Sequence, residues 1–340
     1  MKSHKYDFGP AELVRLFGGL LVPMSLFAAL LRLGALSGIL PSPWPALDVD
    51  HTILVHQAQA SRSATSADVL FLGDSSCLMD VSGKKLEELW AGKHHLLNLG
   101  TFMYVGLNGY AALLSRCASA NPGRLHTVVV LLHPEMLRGV QPVAHYLVFM
   151  SDYYSGADYS EPGSFQGQLC GLFGLDIFQD RFLSRIPLPL PKEYGCYYGF
   201  NLDLYGFMEQ QRGSAVDPHQ YVPSPGQGNA EYRLARALEP GCMALKAAVP
   251  AGAKLLIGLT PLPESFAPPG YPARWQDILG QWGQWIQADI LLTNLPPTMP
   301  DSCFASTTHL NQQGASRFTE IVARCVEPHL PPLAAGLTKP

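Results

Sequence analysis

Apolar positions along this chain fall into one long run and several short ones. The long run lies near the amino terminus. Residues 16–31 carry no charge, Arg15 precedes them, Arg32 follows them, and the apolar character continues to Leu40. The short runs lie at 69–72, 95–99, 127–132, 253–259 and 289–293. Each has the length of a buried strand. Stretches with helical character alternate with them at 84–90, 107–118, 275–288 and 314–326. In the second of these the apolar residues are Leu107, Ala111, Leu113 and Leu114. Apolar strands alternating with helices predict an α/β fold whose parallel sheet is covered on both faces.

The long run has its own reading. A hydrocarbon core needs about 20 apolar residues in a helix. Residues 12–36 meet that need if Arg15 and Arg32 snorkel toward the two interfaces. Lys2, Lys5 and Arg15 precede the run, and Asp48 and Asp50 follow it. The positive-inside rule then predicts a cytoplasmic amino terminus and an extracytoplasmic remainder. A cleaved leader has a shorter apolar region, about 7–15 residues, ending at a small-x-small site. Ala35-Leu36-Ser37 matches such a site poorly. Pro23 is tolerated in a membrane helix.

Three segments are expected: 1–40 as stub and anchor, 41–66 as a linker and lead-in helix, and 67–330 as the α/β domain. Residues 139–240 form an insertion in that domain, rich in Tyr, Gly, Pro and Phe. Insertions of such length are usually functional. Its Tyr153, Tyr154, Tyr197 and Tyr198 are candidates for stacking sugar rings, against the plainer reading of packed aromatics.

Composition narrows the function. The formal charge is −4 with no basic block, which leaves no patch for a nucleic acid. None of the seven cysteines forms a CxxC pair, so no zinc site is indicated. Cys170 and Cys196 lie in a loop-rich region, where spacing alone does not establish a bridge. No metal or cofactor is expected.

The chemistry gathers at strand ends. Gly73-Asp74-Ser75-Ser76 follows the first strand and precedes a helix. Open α/β sheets place reactive groups at such turns, whose backbone N–H groups can stabilise an oxyanion. By itself the tripeptide is as common in surface turns. Asn98-Leu99-Gly100 ends the second strand. His309 stands in Ser306-Thr307-Thr308-His309-Leu310-Asn311-Gln312-Gln313-Gly314, just before the last helix. Histidine is suited to general base work, because its pKa lies near neutrality. Cys77 reads as a packed thiol. Asp74 reads as the residue that ties its own turn.

The order of these motifs resembles the SGNH/GDSL hydrolase superfamily. The membrane anchor, Asn-Leu-Gly and His-Leu-Asn are most similar to its branch that acylates extracellular polymers. That branch includes alginate O-acetylation proteins and the D-alanyl transfer proteins of teichoic acid. The resemblance implies a three-layer α/β/α fold with a flavodoxin-like sheet. It implies Ser75 as nucleophile, His309 as base, and oxyanion donors at Ser75 and Gly100. It also implies a polysaccharide or acyl-carrier substrate, an integral-membrane acyltransferase as partner, and a single-pass bacterial inner-membrane location with a periplasmic domain. A degenerate scaffold that binds polymer or organises the complex is the alternative.

Two positions depart from the family. Ser306 stands where the family has its acid, and a hydroxyl cannot stabilise imidazolium as a carboxylate does. Asp301, Glu135, Asp152 or Asp158 could substitute in space, or a Ser–His dyad could suffice. His133-Pro134-Glu135 stands where the family has its oxyanion asparagine, with Asn108 a possible replacement.

Overall fold

The computed structural model describes residues 9–36, 53, 57–58, 60–139 and 232–331. Tyr153, Tyr154, Tyr197, Tyr198, Asp152, Asp158, Cys170 and Cys196 lie outside the described residues, as does nearly all of the insertion. The chain divides into two units, one holding the amino-terminal helix and the other beginning at Ile53.

The first unit contributes α1 (Pro10–Leu36). Its apolar side chains point outward on every side, with Leu16, Phe17, Leu20, Leu21, Val22, Met24, Leu26, Phe27 and Leu30 all exposed. A water-soluble helix buries one stripe and wets the other. Instead α1 carries an apolar sleeve, and Pro23 sits inside it without ending it. By length and composition it is a candidate membrane span, with mean hydropathy 1.3 over Pro10–Phe27. A signal sequence has the same character.

The second unit is a five-stranded parallel sheet with helices. Its strands are β1 (Val69–Gly73), β2 (Leu96–Asn98), β3 (Thr127–Leu132), β4 (Lys254–Leu259) and, after an outlying pair member β5 (Leu262–Pro263), β6 (Ile290–Leu291). The order across the sheet is β2-β1-β3-β4-β6. All neighbours run parallel. Every residue of β1 and β3 is buried, as the unbroken apolar runs require of central strands. A fully buried Leu, Val or Phe contributes about 1.5–3 kcal/mol, so these two strands hold much of the core.

The helices are α2 (Ser75–Asp80), α3 (Gly83–Leu89), α4 (Gly106–Ala120), α5 (Glu239–Ala248), α6 (Tyr271–Ile286) and α7 (Gln312–Val326). They pack in two groups. α5 lies against α4 and α6, whereas α7 lies against α2 and α3. The chain leaves β1 for β2 on one side and then returns across β1 to β3. The strand order therefore reverses between β1 and β3. Ligands of open α/β sheets bind at such a reversal, beyond the carboxyl ends of the strands.

Two features differ from the sequence pattern. α5 has no counterpart in the sequence pattern, which ends the insertion at 240 and assigns no element between there and 253; Pro240 and Gly241 are poor helix formers. In a first turn proline costs nothing, since that N–H has no intrahelical partner. Burial of Cys242 and Leu245 then holds the helix. The parallel pair β5 with β7 (Thr298–Met299) was also unforeseen. Two residues per strand leave no period to detect.

Candidate active site

β1 delivers the chain to the site and stops there. A Cβ on Gly73 would stand 1.8 Å from the Leu131 carbonyl oxygen, so only glycine lets β1 and β3 close at this level. Asp74 is the N-cap of α2, with its side chain accepting from Ser76 N–H at 3.0 Å and Ser76 Oγ at 2.6 Å. The other carboxylate oxygen accepts from His133 N–H at 2.7 Å. Asp74 thus ties its own turn and also clamps that turn to the end of β3. Burial pushes its carboxyl above the usual range, against the lowering effect of these hydrogen bonds.

Ser75 is the first residue of α2 and is half-buried. Its backbone N–H is one of the helix-start amides that no intrahelical carbonyl satisfies. Its Oγ lies 2.8 Å from His309 Nε2. Residues 234 positions apart therefore meet at hydrogen-bond distance. That distance lies within the range expected of a nucleophile and its base.

The His309 turn is built to hold the ring. Phe304 and Leu310 form an antiparallel bridge across it. Ala305 N–H and Ser306 N–H both donate to the His309 carbonyl, at 3.0 and 3.2 Å. Ser306 Oγ accepts from His309 N–H at 3.0 Å. His309 Nδ1 faces Ser306 Oγ at 3.0 Å and Thr308 Oγ1 at 3.2 Å. With Nε2 accepting from Ser75, Nδ1 carries the proton and gives it to these hydroxyls. Asn311 then caps α7, accepting from Gly314 N–H at 2.8 Å. Burial lowers the His309 pKa to about 4, so the ring is a neutral base at physiological pH.

The two candidate acids among the described residues, Asp301 and Glu135, have other partners. Asp301 accepts from Ser265 N–H at 3.1 Å. Glu135 pairs with Arg138 at 3.4 Å. Asn108 is exposed in the first turn of α4, and among the described residues no hydrogen bond joins it to the site. The Gly100 N–H donates to Asn98 Oδ1 at 2.8 Å, inside its own turn. An oxyanion would compete with that acceptor. A Cβ on Gly100 would stand 2.5 Å from Leu78 N, so the glycine lets the β2 end pack against the backbone of α2. Asn98 completes this contact, donating to the Cys77 and Val81 carbonyls at 3.0 and 3.3 Å. Cys77 is fully buried, and burial followed by the nearby Asp74 and Asp80 pushes its thiol well up. Such a thiol is not a nucleophile. Among the described residues no cluster of metal-ligating side chains occurs.

No protein-family model, no curated protein and no solved structure matches the chain. The chemistry therefore rests on the chain's own geometry.

Sequence reasoning missed Thr308, whose hydroxyl shares the imidazole proton, and Asp80. Asp80 Oδ1 accepts from Leu310 N–H at 2.9 Å. It joins the end of the serine's helix to the residue after the base. Five positions beyond Ser75, it carries no motif that could have found it. Burial pushes its carboxyl well above the ordinary 3.8, with Asp74 adding to the rise and the Leu310 N–H opposing it. A carboxyl with a raised folded pKa favours the protonated form in the fold. Its contribution to stability is present at acid pH and is lost as pH rises through the folded value. Asp80→Asn keeps the acceptor and removes that loss. It is expected to match or exceed wild type in urea midpoint at pH 8, and to differ less at pH 4. Asp80→Leu leaves the Leu310 N–H unpaired and is expected to cost about 1–3 kcal/mol. A fall in midpoint for the Asn variant at pH 8 counts against this account.

Proposed function

We propose that the protein is a membrane-anchored SGNH-type O-acyltransferase or acyl esterase working outside the cytoplasmic membrane on a polysaccharide or its acyl carrier. The observation that carries this reading is the 2.8 Å contact between Ser75 Oγ and His309 Nε2. Ser75 attacks an acyl ester while His309 takes its proton. The acyl group forms an ester on Ser75, and the leaving alcohol receives the proton from His309. A sugar hydroxyl or water then attacks the acyl-serine, with His309 as base again. A parallel sheet whose strand order reverses beside Ser75 supports the reading. The two separate helix groups support the three-layer, flavodoxin-like arrangement proposed with it, in which right-handed crossovers put helices on opposite faces of the sheet. The sleeve of α1 supports a membrane anchor; the single-pass inner-membrane location, the periplasmic domain and an integral-membrane acyltransferase as partner are part of the same proposal.

A second reading is a degenerate scaffold that binds polymer or organises that complex. The hydroxyls at His309 Nδ1, in place of a carboxylate, favour it. A fluorophosphonate probe separates the two. Acylation predicts a mass adduct on Ser75 in folded wild type and none in Ser75→Ala. Folded wild-type protein without an adduct selects the scaffold.

A further inference from the structure

His133 has a place in the acylation chemistry just described. It follows β3 as Ser75 follows β1. The two strands are neighbours, and Gly73 pairs with Leu131. Ser75 and His133 each lie two residues beyond that pair, at the same level of the sheet reversal. The His133 N–H is held by Asp74, the residue before the nucleophile.

The ring of His133 is buried, with 2% of the residue exposed. Its Nδ1 accepts from Glu135 N–H at 3.2 Å. An acceptor at Nδ1 fixes the proton on Nε2. Among the described residues Nε2 has no hydrogen-bond partner. Buried donors are almost always paired, so an orphan at a strand end calls for an explanation. Nor can the ring act as a second base. The Nδ1 lone pair is engaged and Nε2 carries a hydrogen.

We propose that the neutral His133 ring donates its Nε2–H to the oxyanion formed when Ser75 attacks an acyl ester, beside the Ser75 N–H. This rests on Ser75 being the nucleophile. Oxyanion donors are aimed at charge that develops only in the transition state, and so lack a partner in the resting site. The Gly100 N–H, already given to Asn98 Oδ1, is not similarly idle. The electrostatic setting agrees. Burial first, and His309 second, hold the His133 pKa down to about 3. A neutral ring donates without repelling the imidazolium that His309 becomes. Neutral imidazole serves as an electrophile in other enzymes.

The test is the second-order rate of Ser75 labelling by a fluorophosphonate, whose phosphoryl oxygen occupies the oxyanion position. His133→Leu is expected to slow labelling by about 100- to 1000-fold. Its thermal midpoint is expected to fall modestly, because the Glu135 N–H loses its acceptor even as an orphan buried donor is removed. His133→Gln restores an N–H with similar reach and is expected to recover at least about tenfold of that rate. With an ester substrate the loss is expected in kcat rather than KM. His133→Met serves the same purpose if the Leu variant does not fold. Labelling of a folded apolar variant within threefold of wild type overturns the proposal while leaving Ser75 as nucleophile. Equal loss in the Gln and Leu variants also overturns it. Absence of labelling in folded wild type removes the nucleophile itself, and the donor role with it.

Discussion

His309→Ala is expected to slow fluorophosphonate labelling of Ser75 by on the order of 10,000-fold or more, with folding preserved. Removing the base of a serine hydrolase leaves only oxyanion stabilisation and binding, and such losses reach about a million-fold. The imidazole at 2.8 Å is the described group that faces the Ser75 hydroxyl. Wild type adds a second signature. With the His309 pKa lowered to about 4 by burial, labelling is expected to hold steady from pH 8 to about 5 and to be half-lost near pH 4. An ordinary histidine would lose half its activity near 6.5.

The same groups act on the fold. A histidine with a lowered folded pKa stabilises the fold above its unfolded value, near 6.5. That contribution is lost as pH falls toward the folded pKa. His309 and His133 both act this way, with folded values of about 4 and 3. Circular dichroism at each pH therefore has to accompany the rates. A labelling midpoint near 6.5 in protein that stays folded would sink the assignment of a buried neutral base.

Ser306→Asp is expected to raise the labelling rate at pH 8 by about ten- to a hundredfold and to move the acid limb up by one to two pH units. A carboxylate beside Nδ1 favours the imidazolium, which raises the pKa and stabilises the charge that forms as Ser75 attacks. The gain stays below the roughly 10,000-fold that removal of a triad aspartate costs elsewhere. Part of that cost is a lost tautomer, and here the Ser306 and Thr308 hydroxyls can accept the Nδ1 proton, so the productive tautomer is already available. The turn's hydrogen bonds tolerate the change. Ser306 Oγ accepts from His309 N–H and Thr308 N–H, and aspartate makes the same turn bonds. An acid limb that stays near pH 4 would show that the new carboxylate does not reach Nδ1. A rate that falls would show that two hydroxyls serve this site better than an acid.

Much of the architecture could be read from the chain, and for physical reasons. The strand at 127–132 is apolar throughout and coincides with β3, because a central parallel strand has no wet face. The helix expected at 314–326 is α7, extended back to its cap at Asn311. α5 was hidden by a proline and a glycine that tertiary packing overrides. Within the site, Gly-Asp-Ser and the late histidine were visible because local turn chemistry places them. What joins them was not. Asp80, Thr308 and the orphaned ring of His133 depend on contacts between distant segments, and no local spacing encodes those. Asn98 looked like part of a motif and proves to be a buried clamp on the serine's helix. The tyrosines of the insertion keep their reading as an expectation.

The tie from Asp80 to Leu310 spans 230 positions, and α3 and α7 are joined by Lys85 and Glu320 at 2.6 Å. Contacts so distant in sequence form late, because the closure entropy of the intervening chain is met before they reward it. On a ribosome the serine emerges long before its base. The Ser75 hydroxyl meets the His309 ring only once the turn before α7 has docked. Under the proposed acyl-serine chemistry, a chain not yet extended to that turn carries its serine without a base.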